Sequence, residues 1–546
     1  MDLPDWLARR AALHPQRPAL LTAHGTWSFS ALDAWAWVVA QRLMALGCAA
    51  GERVALLAHN SAAYAAVLHA TPRARVVLVP LNTRLSAAEL AWQLADCGAH
   101  LLLYDEAHGH VAQTLQVPLR AALEDVCALS PLPKHWPSCA QRMGDGDAPD
   151  GHHPPAPSPA LRERGGTCCD AWDVNALPTE RSTGFLPADE PVTRKGHPSH
   201  SPTINLDALH TIIYTSGTTG RPKGAMLTAG NHWWSATASL LNLGLRDDDR
   251  WLALLPLFHV GGLSILLRGA IYGMPVVLHE RFAPEAALAA IEHDGVTIAS
   301  LVAVMLARML DAAGERPLPP HFRCALLGGG PAPRPLLEAC AARGVPVVQT
   351  YGMTESASQA VTLSPTEALR KLGSAGQPLL PLELRIIHEG QTVPPGDVGE
   401  ICLRGPMLTS GYYQRPEATA AALRDGWLHT GDLGYCDAEG FLYVVDRRDD
   451  LIISGGENVY PAEIEAVLLG HPAVAEAGVI GIEDAQWGAV PVAFVVCKTN
   501  AIPNAAELHA HCCEQLAAYK VPRAIHFVAS LPRTAAGKLQ RRLLRG

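Results

Sequence analysis

The run Tyr214-Thr215-Ser216-Gly217-Thr218-Thr219-Gly220-Arg221-Pro222-Lys223-Gly224 concentrates hydroxyls, glycines and one lysine directly after the apolar segment Thr211-Ile212-Ile213. Glycines let backbone N–H groups close on an anion, hydroxyls donate further hydrogen bonds, and Lys223 adds positive charge, so a polyphosphate is the natural occupant. The glycine spacing differs from that of a Walker A loop, and Lys223 is followed by Gly224 rather than Ser or Thr. Taken alone, the run is also compatible with a flexible Gly/Thr surface turn. Other stretches carry residue types suited to a site: Phe258-His259-Val260-Gly261-Gly262, Leu327-Gly328-Gly329-Gly330-Pro331, Thr350-Tyr351-Gly352-Met353-Thr354-Glu355, Gly431-Asp432 and Gly537-Lys538. Singly, each has an ordinary structural explanation: a turn, a helix cap or a solvated charge.

Together these stretches resemble the adenylate-forming superfamily, which includes acyl-CoA synthetases, luciferases and the adenylation domains of peptide synthetases. The resemblance is loose over residues 1–130 and close over 206–546. It implies an ATP site in which Thr215, Ser216, Gly217, Thr218, Thr219 and Lys223 hold phosphates. It puts adenine beside Gly328, Gly329, Gly330 and Tyr351, with Gly352 and Thr354 also at the ATP site, ribose on Asp432, Arg447 as a ribose or phosphate donor, and Mg²⁺ on Glu355. His259 would line the approach to the reacting carboxylate, and Lys538 would be the catalytic lysine. Asp449 falls at the family's hinge, and Ser454, Gly455, Gly456 and Glu457 resemble the loop bordering the tunnel for CoA.

The implied chemistry is attack of a substrate carboxylate on the α-phosphate of ATP, followed by thiol capture of the acyl adenylate. The runs Gly230 to Ala236, His259 to Leu266 and Ala270 to Leu278 look most like the o-succinylbenzoate CoA ligase branch, which makes a small aromatic dicarboxylate the expected acid. Trp233, Arg268, Ser264 and Ser358 are its candidate contacts, with Arg268 the cation for a second carboxylate. Motifs shared by the superfamily leave open another fatty or aryl acyl-CoA synthetase, or an adenylation enzyme that loads a carrier protein. A non-catalytic nucleotide- or acyl-binding protein would not need Lys538, Glu355 and Asp432.

The elements that must position these residues follow from periodicity. Pro18 to Leu21, Val54 to Leu57, Val76 to Pro80 and Leu101 to Tyr104 are short apolar runs separated by helical patterns such as Ala87 to Leu94, and Thr26 to Ser30 reads as a strand entering a capped helix. Strands alternating with helices predict an α/β domain with a mostly parallel sheet covered on both faces. Trp251 to Gly262 reads as a strand meeting a glycine-rich turn. From Gly376 to Tyr443, short strands and turns predict a small β subdomain. Beyond residue 447, a helix from Ala462 to Leu469, strands Val474 to Ile482 and Val490 to Cys497, and a helix from Ala505 to Tyr519 predict an α+β domain. The expected division is 1–447 and 448–546. Between 131 and 205, 13 of 75 residues are proline, against 30 of the other 471, and apolar periodicity vanishes, so this stretch reads as a disordered surface insert.

Bulk composition sets the remaining limits. A 546-residue chain that is 49% hydrophobic and 17% charged can bury a large core. A net charge of −9 and a pI near 6.2 give no basic footprint for nucleic acid. The 13 cysteines lack metal-ligand spacing, and neither Cys168-Cys169 nor the pair His152-His153 supports a zinc motif. Reduced thiols, no signal peptide and no uninterrupted apolar span predict a cytoplasmic protein.

Overall fold

The apolar runs become the strands of two mainly parallel sheets. The computed structural model describes residues 1–128, 202–215, 222–330, 332–447, 450–454, 457–484, 487–499, 501, 503–516, 518–533 and 539–544. In the first sheet the order is Lys223–Thr228, Leu209–Thr215, Val77–Pro80, Arg53–Leu57, Ala99–Tyr104, Leu119–Ala122. All neighbours are parallel except the first pair, where the chain folds back as a hairpin. Val54, Ala55, Leu56 and Leu57 are all fully buried, as unbroken apolar runs must be when helices cover both faces.

The second sheet has nine strands, ordered Gln377–Pro378, Val361–Leu363, Val347–Tyr351, Cys324–Leu327, Ile298–Leu301, Trp251–Ala253, Val276–Leu278, Pro18–Thr22, Gly25–Ser28. Its interior is parallel and its two ends turn antiparallel. Helix starts follow the local chemistry. Ser28 caps Phe29–Ala45, and Ser86 with Glu89 forms a capping box on Ala87–Cys97. A separate antiparallel sheet built on Glu383–His388, Gly399–Arg404, Trp427–Cys436 and Leu442–Arg447 supplies the β subdomain. The C-terminal α+β unit pairs Val474–Asp484 with Gly488–Cys497 and packs helix Pro461–Leu469 on them.

Two sequence expectations need correction here. Residues 129–201 lie outside the described residues, as do His152, His153, Cys168 and Cys169. The last part of the expected insert, however, is ordered: Thr203–Asn205 pairs antiparallel with Asp2–Pro4. Ile204 is 5% exposed, so one apolar side chain and a short ladder anchor this end of a proline-rich stretch. The helix expected to run to Tyr519 ends at Gln515, where Leu516 turns extended.

A buried ion network fixes the N-terminal helix Trp6–Leu13 to this core. Arg73 donates to Asp5 Oδ2 at 2.8 Å and to Asp33 Oδ1 at 2.5 Å, and its side chain is 1% exposed. Burial alone pushes the Asp5 carboxyl up, but the adjacent Arg73 guanidinium outweighs it and holds the group below the usual carboxylate range. Asp5 therefore contributes stability above the carboxylate range of the unfolded chain, and that contribution is lost as pH falls through its lower folded value. Arg73→Ala removes the guanidinium from two buried carboxylates and is expected to cost about 3–5 kcal/mol in urea unfolding. A loss below about 1 kcal/mol would contradict a buried, obligatory pair.

Candidate active site

Thr215, Gly328 and Tyr351 lie at or just beyond the C-terminal ends of parallel strands, where open α/β sheets hold ligands. Thr215 ends its strand opposite Lys223, and Thr215 Oγ1 lies 3.4 Å from the Lys223 carbonyl. The run Tyr214 to Gly224 therefore starts on one strand of an antiparallel pair and ends on the other. Ser216, Gly217, Thr218, Thr219, Gly220 and Arg221 lie outside the described residues. Gly224 is dictated by packing, since a Cβ there would sit 2.6 Å from Ile212 Cγ2.

Residues beyond the motif brace the hairpin. Lys223 Nζ lies 5.4 Å from the centre of the Tyr412 ring, and Tyr412 Oη donates to Glu355 Oε1 at 2.8 Å. Tyr413 N–H donates to the Gly224 carbonyl at 2.8 Å. Asp96 accepts from Tyr214 Oη at 2.8 Å and from Arg415. Neither Tyr412 nor Asp96 was named from the sequence, and Gly411, at φ +131°, is the local cue to a special backbone before Tyr412.

Gly328, Gly329 and Gly330 follow Cys324–Leu327, with Gly329 at φ +84°. Val347–Tyr351 ends beside them, and a Cβ on Gly352 would lie 1.7 Å from the Ser358 carbonyl oxygen, so only glycine fits. Between these two residues the 3-10 turn Thr354–Ser356 carries Glu355, which is 6% exposed. Ala357 and Ser358 then adopt φ +52° and +112°, a strained conformation for residues other than glycine. Ser235 Oγ donates to the Ala357 carbonyl at 2.7 Å, and Thr409 N–H donates to the Glu355 carbonyl at 2.7 Å, which fixes the turn from both sides.

Tyr351 Oη donates to Asp432 Oδ2 at 2.6 Å, joining two residues expected at one nucleoside. Asp432 is 7% exposed and opposes Arg447 in the strand register. The Arg447 side chain lies outside the described residues.

On the acid side, the expected turn at Val260-Gly261-Gly262 is the first turn of helix Val260–Tyr272, with His259 at its N-cap. Gly262 serves contact rather than turning, because a Cβ there would meet the Pro256 carbonyl oxygen at 2.3 Å. Asn60, unmentioned in the sequence reading, clamps the preceding loop. Its Nδ2 donates to Leu255 O at 3.0 Å and His279 O at 3.2 Å, and its Oδ1 accepts from Leu257 N–H at 2.8 Å. Among the described residues His259 Nε2 has no hydrogen-bond partner. Burial, with Arg84 nearby, pushes the His259 imidazole down to about 4.

Arg268 is 2% exposed, so it is no surface charge. Its guanidinium lies 5.4 Å from the Trp251 ring centre, Nη2 reaches Ser235 Oγ at 3.4 Å, and Nε has no partner among the described residues. Burial lowers its affinity for the proton. Ser264 Oγ donates to the Gly261 carbonyl of its own helix at 3.3 Å. Trp233 stacks on Trp6 at 6.1 Å, whereas Trp234, one position round the helix, packs against the same hydrophobic cluster as Tyr351 and Met353. The helical step of about 100° separates these two faces.

In the C-terminal unit Ser454 is buried and opposes Glu457. Asp449, Gly455, Gly456, Lys538 and the Glu457 side chain lie outside the described residues. Arg533 and Leu539, on either side of Lys538, form an antiparallel bridge.

This fold and clustering define an adenylate-forming enzyme. Residues 7–413 match the AMP-binding enzyme family and 463–538 match the AMP-binding enzyme C-terminal domain, and the chain belongs to that family. It is 48% identical to the 2-succinylbenzoate–CoA ligase of Geobacillus kaustophilus (strain HTA426), across 100% of this chain and 97% of that protein. Among solved structures it is similar to o-succinylbenzoate CoA synthetase from Bacillus subtilis in complex with the acyl-adenylate intermediate OSB-AMP. That likeness has a TM-score of 0.83 and 41% identity, covering 100% of this chain and 99% of that one. The same enzyme in complex with ATP and magnesium ion gives a TM-score of 0.82 at 41% identity, covering 100% of both chains.

Two outcomes follow from the acid-side geometry. Asn60→Ala, which frees the loop before His259, is expected to raise the KM for the acid on the order of tenfold and to leave the KM for ATP within about twofold. Equal changes in both would contradict a local clamp. His259 is expected to protonate near pH 4 in the folded chain, so its contribution to stability is whole above the unfolded value of about 6.5 and is lost as pH falls toward 4. A histidine proton resonance that disappears in His259→Gln but titrates near 6.5 would contradict it.

Proposed function

We propose that this chain is a 2-succinylbenzoate–CoA ligase: it uses ATP to convert the acid into an acyl adenylate, releases pyrophosphate, and then transfers the acyl group to the thiol of CoA. The observation that carries the choice of acid is Arg268, a buried guanidinium without a carboxylate partner among the described residues. A second substrate carboxylate is the natural counter-ion for such a group. The family relatives of the same name support this reading.

A carboxylate is a poor electrophile, and adenylation gives it a good leaving group. In our assignment Thr215, Ser216, Gly217, Thr218, Thr219 and Lys223 hold the β- and γ-phosphates. Gly328, Gly329, Gly330, Tyr351, Gly352 and Thr354 bound the adenine, while Asp432 and Arg447 bind ribose. The reacting carboxylate passes between His259 and Lys538, and Lys538 stabilises charge developing at the α-phosphate. Glu355 fits Mg²⁺, because one carboxylate oxygen is held by Tyr412 and the other, with no hydrogen-bond partner among the described residues, would suit a hard cation. When bound, the ion neutralises phosphate charge. The neutral His259 ring adds no positive charge beside the carboxylate, so approach is governed by shape and by Arg268 at the far end. In the same assignment Trp233, Ser264 and Ser358 are the further contacts of the acid beside Arg268.

The proposed boundary is 447/448, with Asp449 as hinge between the adenylation unit and the C-terminal unit. Turning about it would withdraw Lys538 after the first half-reaction and bring Ser454, Gly455, Gly456 and Glu457 toward the CoA thiol. We place the enzyme in the cytoplasm, where CoA and ATP are available; among the described residues no helix is long and apolar enough to cross a membrane.

Lys538→Ala is expected to slow adenylation by on the order of 10² or more, while thioester formation from preformed adenylate survives. An equal fall in both half-reactions would contradict separate roles for the two conformations. Arg268→Ala is expected to raise the KM for 2-succinylbenzoate on the order of tenfold or more above any change for benzoate. Equal effects on both acids would remove Arg268 from acid recognition.

A further inference from the structure

Outside the nucleotide site, the β subdomain brings together a carboxylate, a thiol and an imidazole. Cys402 on Gly399–Arg404 opposes His429 on Trp427–Cys436 in the strand register. Cys402 Sγ lies 3.3 Å from His429 Nδ1, and Glu400 Oε2 lies 3.0 Å from the same nitrogen. The three donor atoms lie within 4.8 Å of one another. We propose that Glu400, Cys402 and His429 bind a thiophilic divalent cation of the zinc class.

The spacing matches the coordination chemistry. With bonds of about 2.3 Å to sulfur and about 2.0–2.1 Å to nitrogen and oxygen, a tetrahedral ion separates sulfur from nitrogen by about 3.6 Å and nitrogen from oxygen by about 3.3 Å. The observed separations of 3.3 and 3.0 Å are each about 0.3 Å short of those edges, within the reach of side-chain rotation. Mixed S, N and O donors select zinc, cobalt or cadmium over Mg²⁺, which prefers oxygen alone. Paired strands hold the ligands, and Glu400 is already oriented, since its Oε1 accepts from Gly431 N–H at 3.1 Å.

The site remains reachable from solvent, with His429 and Glu400 side chains 12% and 14% exposed. The charges facing it are Arg424, whose Nη2 is 3.7 Å from Glu400 Oε2, and Arg385, which stacks on Trp427 at 4.0 Å. Arg424 is exposed and can swing away when the ion takes that oxygen. Binding replaces the Cys402 S–H bond with a sulfur–metal bond and releases one proton to solvent; nothing is oxidised or reduced. Sulfur binds the ion as a thiolate, so uptake and proton release go together.

The test is titration of the full chain with Co²⁺ in millimolar Mg²⁺, followed by the near-ultraviolet thiolate-to-cobalt charge-transfer band. The expected result is a band saturating at one equivalent, displaced by Zn²⁺, absent from Cys402→Val and Cys402→Ser, and with its midpoint raised about 10–100-fold in Glu400→Gln. Circular dichroism of each variant checks that the fold is retained. No band at stoichiometric Co²⁺ would overturn the site. So would a band that survives both Cys402 variants and disappears with Cys513→Ser, since Cys513 lies 3.5 Å from His509 on an exposed helix.

Discussion

The hydrogen bond from Tyr351 to Asp432, 2.6 Å long and part-buried, is the constraint on which the site depends. Tyr351 ends a strand of the nine-stranded sheet, and Asp432 sits in the middle of a β-subdomain strand. A short hydrogen bond to a buried carboxylate is a strong one, and this one ties the two units together. Immediately after Tyr351, the chain can pass under the Ser358 carbonyl only because residue 352 is glycine. The turn that follows then presents Glu355 in a backbone conformation that Ser235 and Thr409 must hold.

Charge is distributed according to what each end of the site must bind. At the phosphate end, Lys223 lies over Tyr412, and Tyr412 in turn bonds Glu355, so the cation and the candidate metal ligand share one aromatic support. At the acid end, His259 is held neutral and Arg268 is buried. A buried guanidinium without a counter-ion is expensive, whereas one neutralised by an incoming carboxylate becomes a strong and selective contact. In the proposed function the cost of burying Arg268 is recovered when the acid binds, which is our reason for a dicarboxylate over a simple fatty acid.

Much of this was legible in the sequence because it is local. Apolar runs such as Val54 to Leu57, the Ser28 and Ser86 caps and the glycine-rich stretches carry their structural meaning within a few residues. What escaped was long-range or depended on helical phase. Asn60 bonds Leu255, Ser235 bonds Ala357 and Tyr412 bonds Glu355, all across sequence distances at which spacing carries no information. Gly262 was read as a turn because close backbone contact and turning both select glycine. Trp233 and Trp234 are adjacent in sequence yet face different clusters, and only the phase of the helix tells them apart. Thr203–Asn205 was absorbed into a proline-rich segment because three residues are too few to show strand periodicity.

The central claim is that one site activates an aromatic dicarboxylate by adenylation. It is tested most directly by incubating the chain with ATP, Mg²⁺ and 2-succinylbenzoate without CoA, quenching, and determining the mass of the bound product. The account predicts a stoichiometric 2-succinylbenzoyl adenylate that is consumed when CoA is added. An acyl phosphate accompanied by ADP, or an adenylate formed from benzoate or a fatty acid but not from the dicarboxylate, would contradict it.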